Sequence, residues 1–268
     1  MIKTSDFLFK YLVEKHGITD VFLVTGGGAM HLNDSIGRNP DIRYICNHHE
    51  QASAIAAEGY YRASGKLCVT NVTTGPGGTN AVTGVLGQWT DSIPAIYISG
   101  QVKQSTTIHA CPDLHLRQLG DQEANIIDIV KPITKFAEMI TDANDIKYYI
   151  DKAIYLATHG RPGPVWIDVP LDVQAALIEE ENLKEFDPSE LEQRSYTPIE
   201  KSVKSVIEKL KTAKRPVFYV GNGLRLAGVV DDFIRIAEKT NIPVVTAISG
   251  HDIIWHCLLY TSDAADEL

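Results

Sequence analysis

His48-His49-Glu50-Gln51-Ala52-Ser53 joins two stretches of different period. Ahead of it, Ile42-Arg43-Tyr44-Ile45 is β-prone and runs out at Asn47. Behind it, Ala52, Ile55, Ala56, Gly59, Tyr60 and Ala63 recur at helical spacing up to a stop at Gly65. Glu50 is therefore expected at a strand-to-helix junction, in the first turn of a buried helix. An acid at that position complements the helix dipole, which by itself would account for it. Two glycine-rich turns flank the junction in the chain, and each also follows an expected strand. In a parallel sheet three such turns collect at one edge, where ligands bind.

The chain has 268 residues, enough for one large domain or two ordinary ones. Its composition, 44% hydrophobic and 22% charged, is that of a globular protein. A formal charge of −9 and the lack of a basic stripe argue against a nucleic-acid partner. Cys46, Cys68, Cys111 and Cys257 show no paired spacing, so reduced thiols are expected rather than disulfides or a zinc ribbon. No signal-type apolar core opens the chain and no apolar run reaches bilayer length, so a cytoplasmic protein without a membrane partner is expected.

An amphipathic helix carrying Phe7, Leu8, Tyr11 and Leu12 closes near His16-Gly17. The strand Asp20-Val21-Phe22-Leu23-Val24 follows, then Thr25-Gly26-Gly27-Gly28 and a helix over 29–36. The triple glycine suits a backbone that approaches a ligand or turns with positive φ, and His31 spoils the dinucleotide fingerprint. A third unit has the strand Leu67-Cys68-Val69-Thr70-Asn71-Val72, the loop Thr73-Thr74-Gly75-Pro76-Gly77-Gly78-Thr79-Asn80, and a helix to residue 88 that Thr79 or Asn80 would cap. That loop lacks Gly-Lys-Ser/Thr, and Pro76 removes a donor amide, which speaks against a phosphate loop and for close approach to a flat or bulky ligand.

A fourth strand, Ala95-Ile96-Tyr97-Ile98-Ser99, leads into Gly100-Gln101-Val102 and about twenty loop-like residues. That loop holds His109, Cys111 and His115, whose spacing matches no zinc pattern. Val130-Lys131-Pro132-Ile133-Thr134-Lys135 reads as a strand, 145–159 as a helix, and Val165-Trp166-Ile167-Asp168-Val169-Pro170 as a buried strand ended by proline. Alternation of strand and helix argues for an α/β fold with a parallel sheet over residues 1–178. Residues 179–198 form an acidic linker, and a second Rossmann-like pattern runs over 199–256, with Gly221-Asn222-Gly223 after its first strand. Residues 257–268 lose the alternation and resemble a non-native tail on a chain truncated near Trp255.

The order of motifs resembles the thiamine diphosphate-dependent enzymes, in particular the catalytic subunits of the acetolactate synthase branch. It is carried by Gly26-Gly27-Gly28, His49-Glu50-Gln51-Ala52, residues 74–80, Asp91-Ser92-Ile93-Pro94 with Gly100-Gln101-Val102, and Gly160-Arg161-Pro162-Gly163-Pro164-Val165. The resemblance covers residues 4–249 and implies a complete pyrimidine-binding domain, the start of a central Rossmann-like domain, and a diphosphate-binding domain missing from this fragment. It makes Glu50 the carboxyl group that touches N1′ of the cofactor's aminopyrimidine and promotes the tautomer that activates thiamine diphosphate. Gly26, Gly27, Thr74, Gly75 and Asn80 would line the pyrimidine pocket, largely through backbone, and Gln101 would lie near the reacting substrate. Arg161 matches a position associated with flavin adenine dinucleotide (FAD), which Gly221-Asn222-Gly223 would also approach. Mg²⁺ would sit in the missing domain.

The implied reaction is decarboxylation of a 2-keto acid, pyruvate being expected, and transfer of the two-carbon unit to a keto acceptor, as in branched-chain amino acid biosynthesis. The family's active sites form between subunits, so a homodimer or homotetramer is implied and this fragment alone is expected to be inactive. One departure concerns the acceptor. Where acetolactate synthases carry Phe-Gln-Glu, this chain has Asp121-Gln122-Glu123 after a longer loop. A decarboxylase, or a carboligase using another acceptor such as a nucleotide-linked keto sugar, is therefore a second reading. A non-catalytic nucleotide-binding module is a third.

Overall fold

The computed structural model describes residues 1–191, 199–254 and 261–262. The chain divides into two units, Met1–Glu190 and Leu191–Leu268. The first is built on β2 (Asp20–Leu23), β3 (Arg43–Cys46), β4 (Val69–Val72), β5 (Ala95–Gln101), β6 (Phe136–Met139) and β7 (Pro164–Pro170). These six strands are all parallel, in the order β3-β2-β4-β5-β7-β6. Every residue of β2, β4, β5 and β7 is buried, whereas β3, at an edge, is exposed throughout. Continuous apolar runs such as Ala95-Ile96-Tyr97-Ile98 belong in strands covered on both faces.

One face is covered by α1 (Thr4–His16), α2 (Met30–Arg38) and α7 (Ile146–Thr158), which bury Leu8, Leu12, Leu32, Ile36, Ile146 and Ile150 against it. The other carries α3 (Glu50–Ser64), α5 (Val82–Asp91) and α6 (Ile126–Val130), around Tyr97 stacked on Trp166 at 4.8 Å. A short antiparallel pair ties the ends of the unit together: β1 (Ile2–Lys3) with β8 (Leu177–Ile178), the latter following α8 (Leu171–Ala175).

Three local expectations change in the first unit. The strand read over 130–135 is instead the end of α6, capped by Asn125, followed by a 3-10 turn at Lys131–Ile133. Pro132 cannot donate to a strand ladder, and the pairing begins only at Phe136. The glycine loop after β4 is partly helical: α4 (Pro76–Asn80) starts with proline at its first turn, where a missing N–H costs nothing. Neither Thr79 nor Asn80 caps α5, whose N-cap is Ala81. Finally, residues 179–190 pack onto the first unit: Leu183 and Phe186 are buried, and Lys10–Glu180 and Lys147–Glu185 pair across it.

In the second unit α9 (Ile199–Thr212) precedes a three-stranded parallel sheet of β9 (Phe218–Val220), β10 (Val244–Thr246) and β11 (Thr261–Ser262), with β10 in the middle. The helix read from the sequence to about Lys239 consists of α10 (Gly223–Leu226) and α11 (Val230–Thr240), separated at Gly228, whose φ is +68°. Val220, Phe233, Val244, Ile253 and Ile254 form its core. Of the tail over 257–268, only the β11 backbone lies within the described residues.

Candidate active site

The strand order creates a crevice. From β2 the chain moves outward to β3, whereas β4, on the other side of β2, leads to β5. The connections diverge between β2 and β4, and ligands of open α/β sheets bind outside the carboxyl ends of strands at such a point. The loops after β2, β3 and β4 are those that carry Gly26-Gly27-Gly28, Glu50 and Thr74-Gly75.

The glycines let these strand ends converge. A Cβ on Gly26 would lie 2.5 Å from Thr73 Cβ, and one on Gly28 2.9 Å from Thr74 Cβ. The Gly28 N–H donates to Thr73 Oγ1 at 3.1 Å, and Gly100 presses on the Gly28 carbonyl. None of the three has a positive φ. The tight approach read from the sequence is thus made to the chain's own β4 loop, and only Gly27, exposed with nothing within 4 Å of its Cβ position, faces open space. Gly75 differs: its φ of +57° and ψ of −117° turn the chain into α4, and it abuts the Gln122 carbonyl.

Glu50 is the first residue of α3 and is 8% exposed. His49 is the N-cap, its Nδ1 accepting from the Gln51 N–H at 3.1 Å, and Asn47 Nδ2 donates to Ser53 Oγ at 3.0 Å. These contacts fix the start of the helix. Asn80, at the end of α4, donates its Nδ2 to Glu50 Oε2 at 3.0 Å. Oε1 has no hydrogen-bond partner among the described residues, and a Cβ on Gly77 would stand 3.4 Å from it. The helix itself is pinned to α5, where Gly84 meets Ala54 and Gln88 Nε2 donates to the Ala54 carbonyl at 2.8 Å. The result is a buried carboxyl group with one oxygen tethered by Asn80 and the other without a partner among the described residues.

Gln101 ends β5 and is buried, with its amide saturated inside the chain. Oε1 accepts from Thr74 Oγ1 at 2.5 Å and from the Val102 N–H at 3.0 Å. Nε2 donates to the Ala124 carbonyl at 3.0 Å and to Asp168 Oδ2 at 3.1 Å. Burial pushes the Asp168 carboxyl up to about 7, although hydrogen bonds from Ser99 and Gln101 pull the other way.

Residues 2–124 match the family of the thiamine pyrophosphate enzyme N-terminal TPP binding domain, and residues 203–259 match the central domain of the same enzymes. The chain belongs to the thiamine pyrophosphate enzymes. Over 256 residues it is 35% identical to acetolactate synthase 1, chloroplastic, of Nicotiana tabacum, covering 92% of this chain and 36% of that one. Against the acetolactate synthase large subunit of Lactococcus lactis it is 38% identical over 238 residues, covering 87% and 39%. A solved structure from Mycobacterium smegmatis, described as a candidate thiamin diphosphate-dependent enzyme, superposes with a TM-score of 0.76 at 22% identity and shares the fold. That alignment covers 92% of this chain and 44% of the other. The chain thus spans less than half the length of these relatives.

Within this thiamine pyrophosphate enzyme, the structure gathers Gly26, Gly27, Glu50, Thr74, Gly75, Asn80 and Gln101 at the carboxyl edge of the sheet. Arg161 is not among them. It precedes β7 and donates its Nε to Ser92 Oγ at 2.6 Å, just before β5, at the opposite edge. Asn222 accepts from Arg225 at 3.2 Å within the second unit. His109, Cys111 and His115 lie in and beside 3-10 turns, and the described residues contain no group of three or more His, Cys, Asp or Glu able to hold a metal. No helix among the described residues is long and apolar enough to cross a membrane. Asp121 is exposed, while Glu123 organises its own loop by accepting from the Ile108, Leu119 and Gly120 N–H groups. Asp168 was missed by the sequence reading, and its signal was plain: an acid inside the buried run Val165-Trp166-Ile167-Asp168-Val169.

Proposed function

We propose that this chain supplies the aminopyrimidine side of a thiamine diphosphate-dependent carboligase resembling acetolactate synthase. It would act on a 2-keto acid, pyruvate foremost, releasing carbon dioxide and passing the two-carbon unit to a keto acceptor. One observation carries the reading. Glu50 is a buried carboxylate at the switch point, held by Asn80 through Oε2, with Oε1 unpartnered among the described residues. These residues fit an aminopyrimidine, because a carboxyl oxygen with no partner among the described residues, in a site whose Gly27 backbone is open, suits a flat ring that must exchange a proton. When bound, thiamine diphosphate supplies the electron sink for loss of carbon dioxide. Glu50 holds and moves the proton at Oε1, Asn80 orients the carboxylate, and the tight packing of Gly26 and Gly28 on Thr73 and Thr74 keeps the edge rigid. Gln101, with its amide committed to Thr74 and Asp168, acts on the turn around the site.

The diphosphate and Mg²⁺ are proposed to be held by a domain outside these 268 residues, so that the chain by itself turns over no pyruvate. The shares of 36% and 39% of the relatives' lengths support this. A homodimer or homotetramer in the cytoplasm is part of the same proposal. Its support is the exposed apolar surface of β3 and α3, with Tyr44, Ile45 and Ile55 uncovered next to the site. Asp121 favours a second reading with the same cofactor, in which the acceptor differs from a simple keto acid. FAD, by way of Arg161, would occupy a place separate from Glu50.

The test is product analysis with the uninterrupted protein containing this chain, thiamine diphosphate, Mg²⁺, pyruvate and a panel of keto acceptors. Acetolactate with carbon dioxide is expected. Ligation of the two-carbon unit only to another acceptor would establish the second reading, and absence of decarboxylation with every 2-keto acid would sink both.

A further inference from the structure

Asp168 is 1% exposed, in a strand buried at every residue. An acid there costs free energy unless it is well partnered, and an apolar residue of similar volume is often at least as stabilising. Its two oxygens do different things. Oδ1 accepts from Ser99 Oγ at 2.5 Å, and Ser99 Oγ in turn accepts from Trp166 Nε1 at 2.7 Å. Oδ2 accepts from Gln101 Nε2 at 3.1 Å. The orientation of the Gln101 amide is unambiguous, because the Val102 N–H can only donate and the Ala124 carbonyl can only accept.

From Gln101 the path continues to Thr74 Oγ1 at 2.5 Å. Thr74 immediately precedes Gly75, the turn into α4, and α4 carries Asn80 to Glu50 Oε2. The buried acid is thereby linked to the group that holds the carboxylate of the site. We infer that Asp168 is a positioning residue for the Glu50 site, acting through Gln101 and Thr74 on the turn at Gly75. The inference rests on the role proposed for Glu50, and its test separates the two.

Amide hydrogen exchange of the 268-residue chain at alkaline pH, on wild type, Asp168→Leu and Asp168→Asn, reads the linkage directly. Leucine removes the acceptor for Gln101. Asparagine restores it, its oxygen facing Gln101 and its amide donating to Ser99 Oγ. In Asp168→Leu residues 74–80 are expected to exchange about tenfold faster or more, with β4 and β7 changing by less than about threefold. Asp168→Asn is expected to stay near wild type. Unaltered exchange over 74–80 in folded Asp168→Leu, or equal acceleration throughout the sheet, would overturn the inference. Should Asp168→Leu fail to fold, Thr74→Val cuts the path at its other end and carries the same expectation; no change over 74–80 there overturns it as well.

A titration of the uninterrupted enzyme with thiamine diphosphate in the presence of Mg²⁺ accompanies the exchange. Thr74→Val is expected to need about ten times more ligand for half-saturation, and Asp168→Asn no more than about threefold more. If even wild type shows no binding, the role proposed for Glu50 fails, and the exchange measurement alone decides the linkage.

Discussion

Asn80 holds Glu50 by one hydrogen bond, Nδ2 to Oε2 at 3.0 Å, and so joins the end of α4 to the start of α3. The bond orients the carboxylate through Oε2 and leaves Oε1 for the proton exchange proposed above. Glu50→Gln keeps an acceptor for Asn80, so its melting temperature should match wild type to within the equivalent of about 1 kcal/mol. Its amide cannot exchange a proton with a ring nitrogen. Exchange of the thiamine diphosphate C2 proton in the uninterrupted enzyme should therefore fall about a hundredfold or more, as followed by NMR. Undiminished exchange in Glu50→Gln would leave Glu50 as a dipole-complementing acid and favour a passive binding module.

The helix that presents Glu50 depends on a contact well away from it. Gly84 of α5 packs against the Ala54 methyl of α3, leaving no room for a side chain. Gly84→Val should push the two helices apart and destabilise the chain by roughly 1–3 kcal/mol. Urea unfolding should show a lower midpoint with an unchanged slope. A midpoint equal to wild type would mean that the α3–α5 contact yields freely and does not fix the helix.

The parallel sheet, the order of its strands' loops and the place of Glu50 were legible in the sequence. Alternating period, a helix stop at Gly65 and two glycine-rich turns flanking the Glu50 junction are local signals that tertiary packing reinforces. Other features depended on contacts distant in sequence. Whether Gly26 and Gly28 face a ligand or Thr73 and Thr74 is decided by how closely β2 and β4 approach. The saturation of Gln101 draws on Thr74, Ala124 and Asp168 from three other segments. The false strand over 130–135 arose because Val130 and Ile133 are equally at home in a short buried helix and turn, and the Asn125 cap and Pro132 distinguish them. Arg161, matched by motif to a flavin-associated position, precedes β7 and so lies at the other edge of the sheet from Glu50.

Stability should depend on pH in a way that Asp168 and Asp20 shape in opposite senses. Asp168 ordinarily titrates at 3.8, and burial raises it to about 7 in the folded chain. Between those values the folded state keeps a proton that the unfolded state has released. The contribution is therefore full below the ordinary carboxylate value, declines as pH rises from about 4 to 7, and is gone above that, amounting to something on the order of 4 kcal/mol. For Asp20, burial works upward, but hydrogen bonds from Tyr60, Arg43 and Thr19 and the Arg43 charge outweigh it and hold the carboxyl below its ordinary value. Its contribution is present above the ordinary value and lost as pH falls through the lowered one. Unfolding free energies of wild type and Asp168→Asn from pH 4 to 8 isolate the first effect. The advantage of wild type over Asp168→Asn should shrink as pH rises; an advantage that grows would sink the assignment.

Gly75 and Gly27 lie in neighbouring loops and should respond to alanine in opposite ways. At Gly75 a φ of +57° with ψ of −117° is open to glycine and closed to other residues, and a Cβ would run into the Gln122 carbonyl. Gly75→Ala must displace either the turn into α4 or the segment at Gln122, and a loss of roughly 1–3 kcal/mol is expected. At Gly27 the backbone is not left-handed, and nothing lies within 4 Å of a Cβ. Gly27→Ala should leave the unfolding free energy within about 0.5 kcal/mol of wild type. Because that open position faces the ring proposed to bind beside Glu50, the same substitution should weaken thiamine diphosphate binding in the uninterrupted enzyme. Chemical denaturation and ligand titration of the two variants distinguish the glycine that folds the loop from the glycine that admits the ligand. Equal stability losses in both, with binding unchanged in Gly27→Ala, would place the ring elsewhere on the sheet edge.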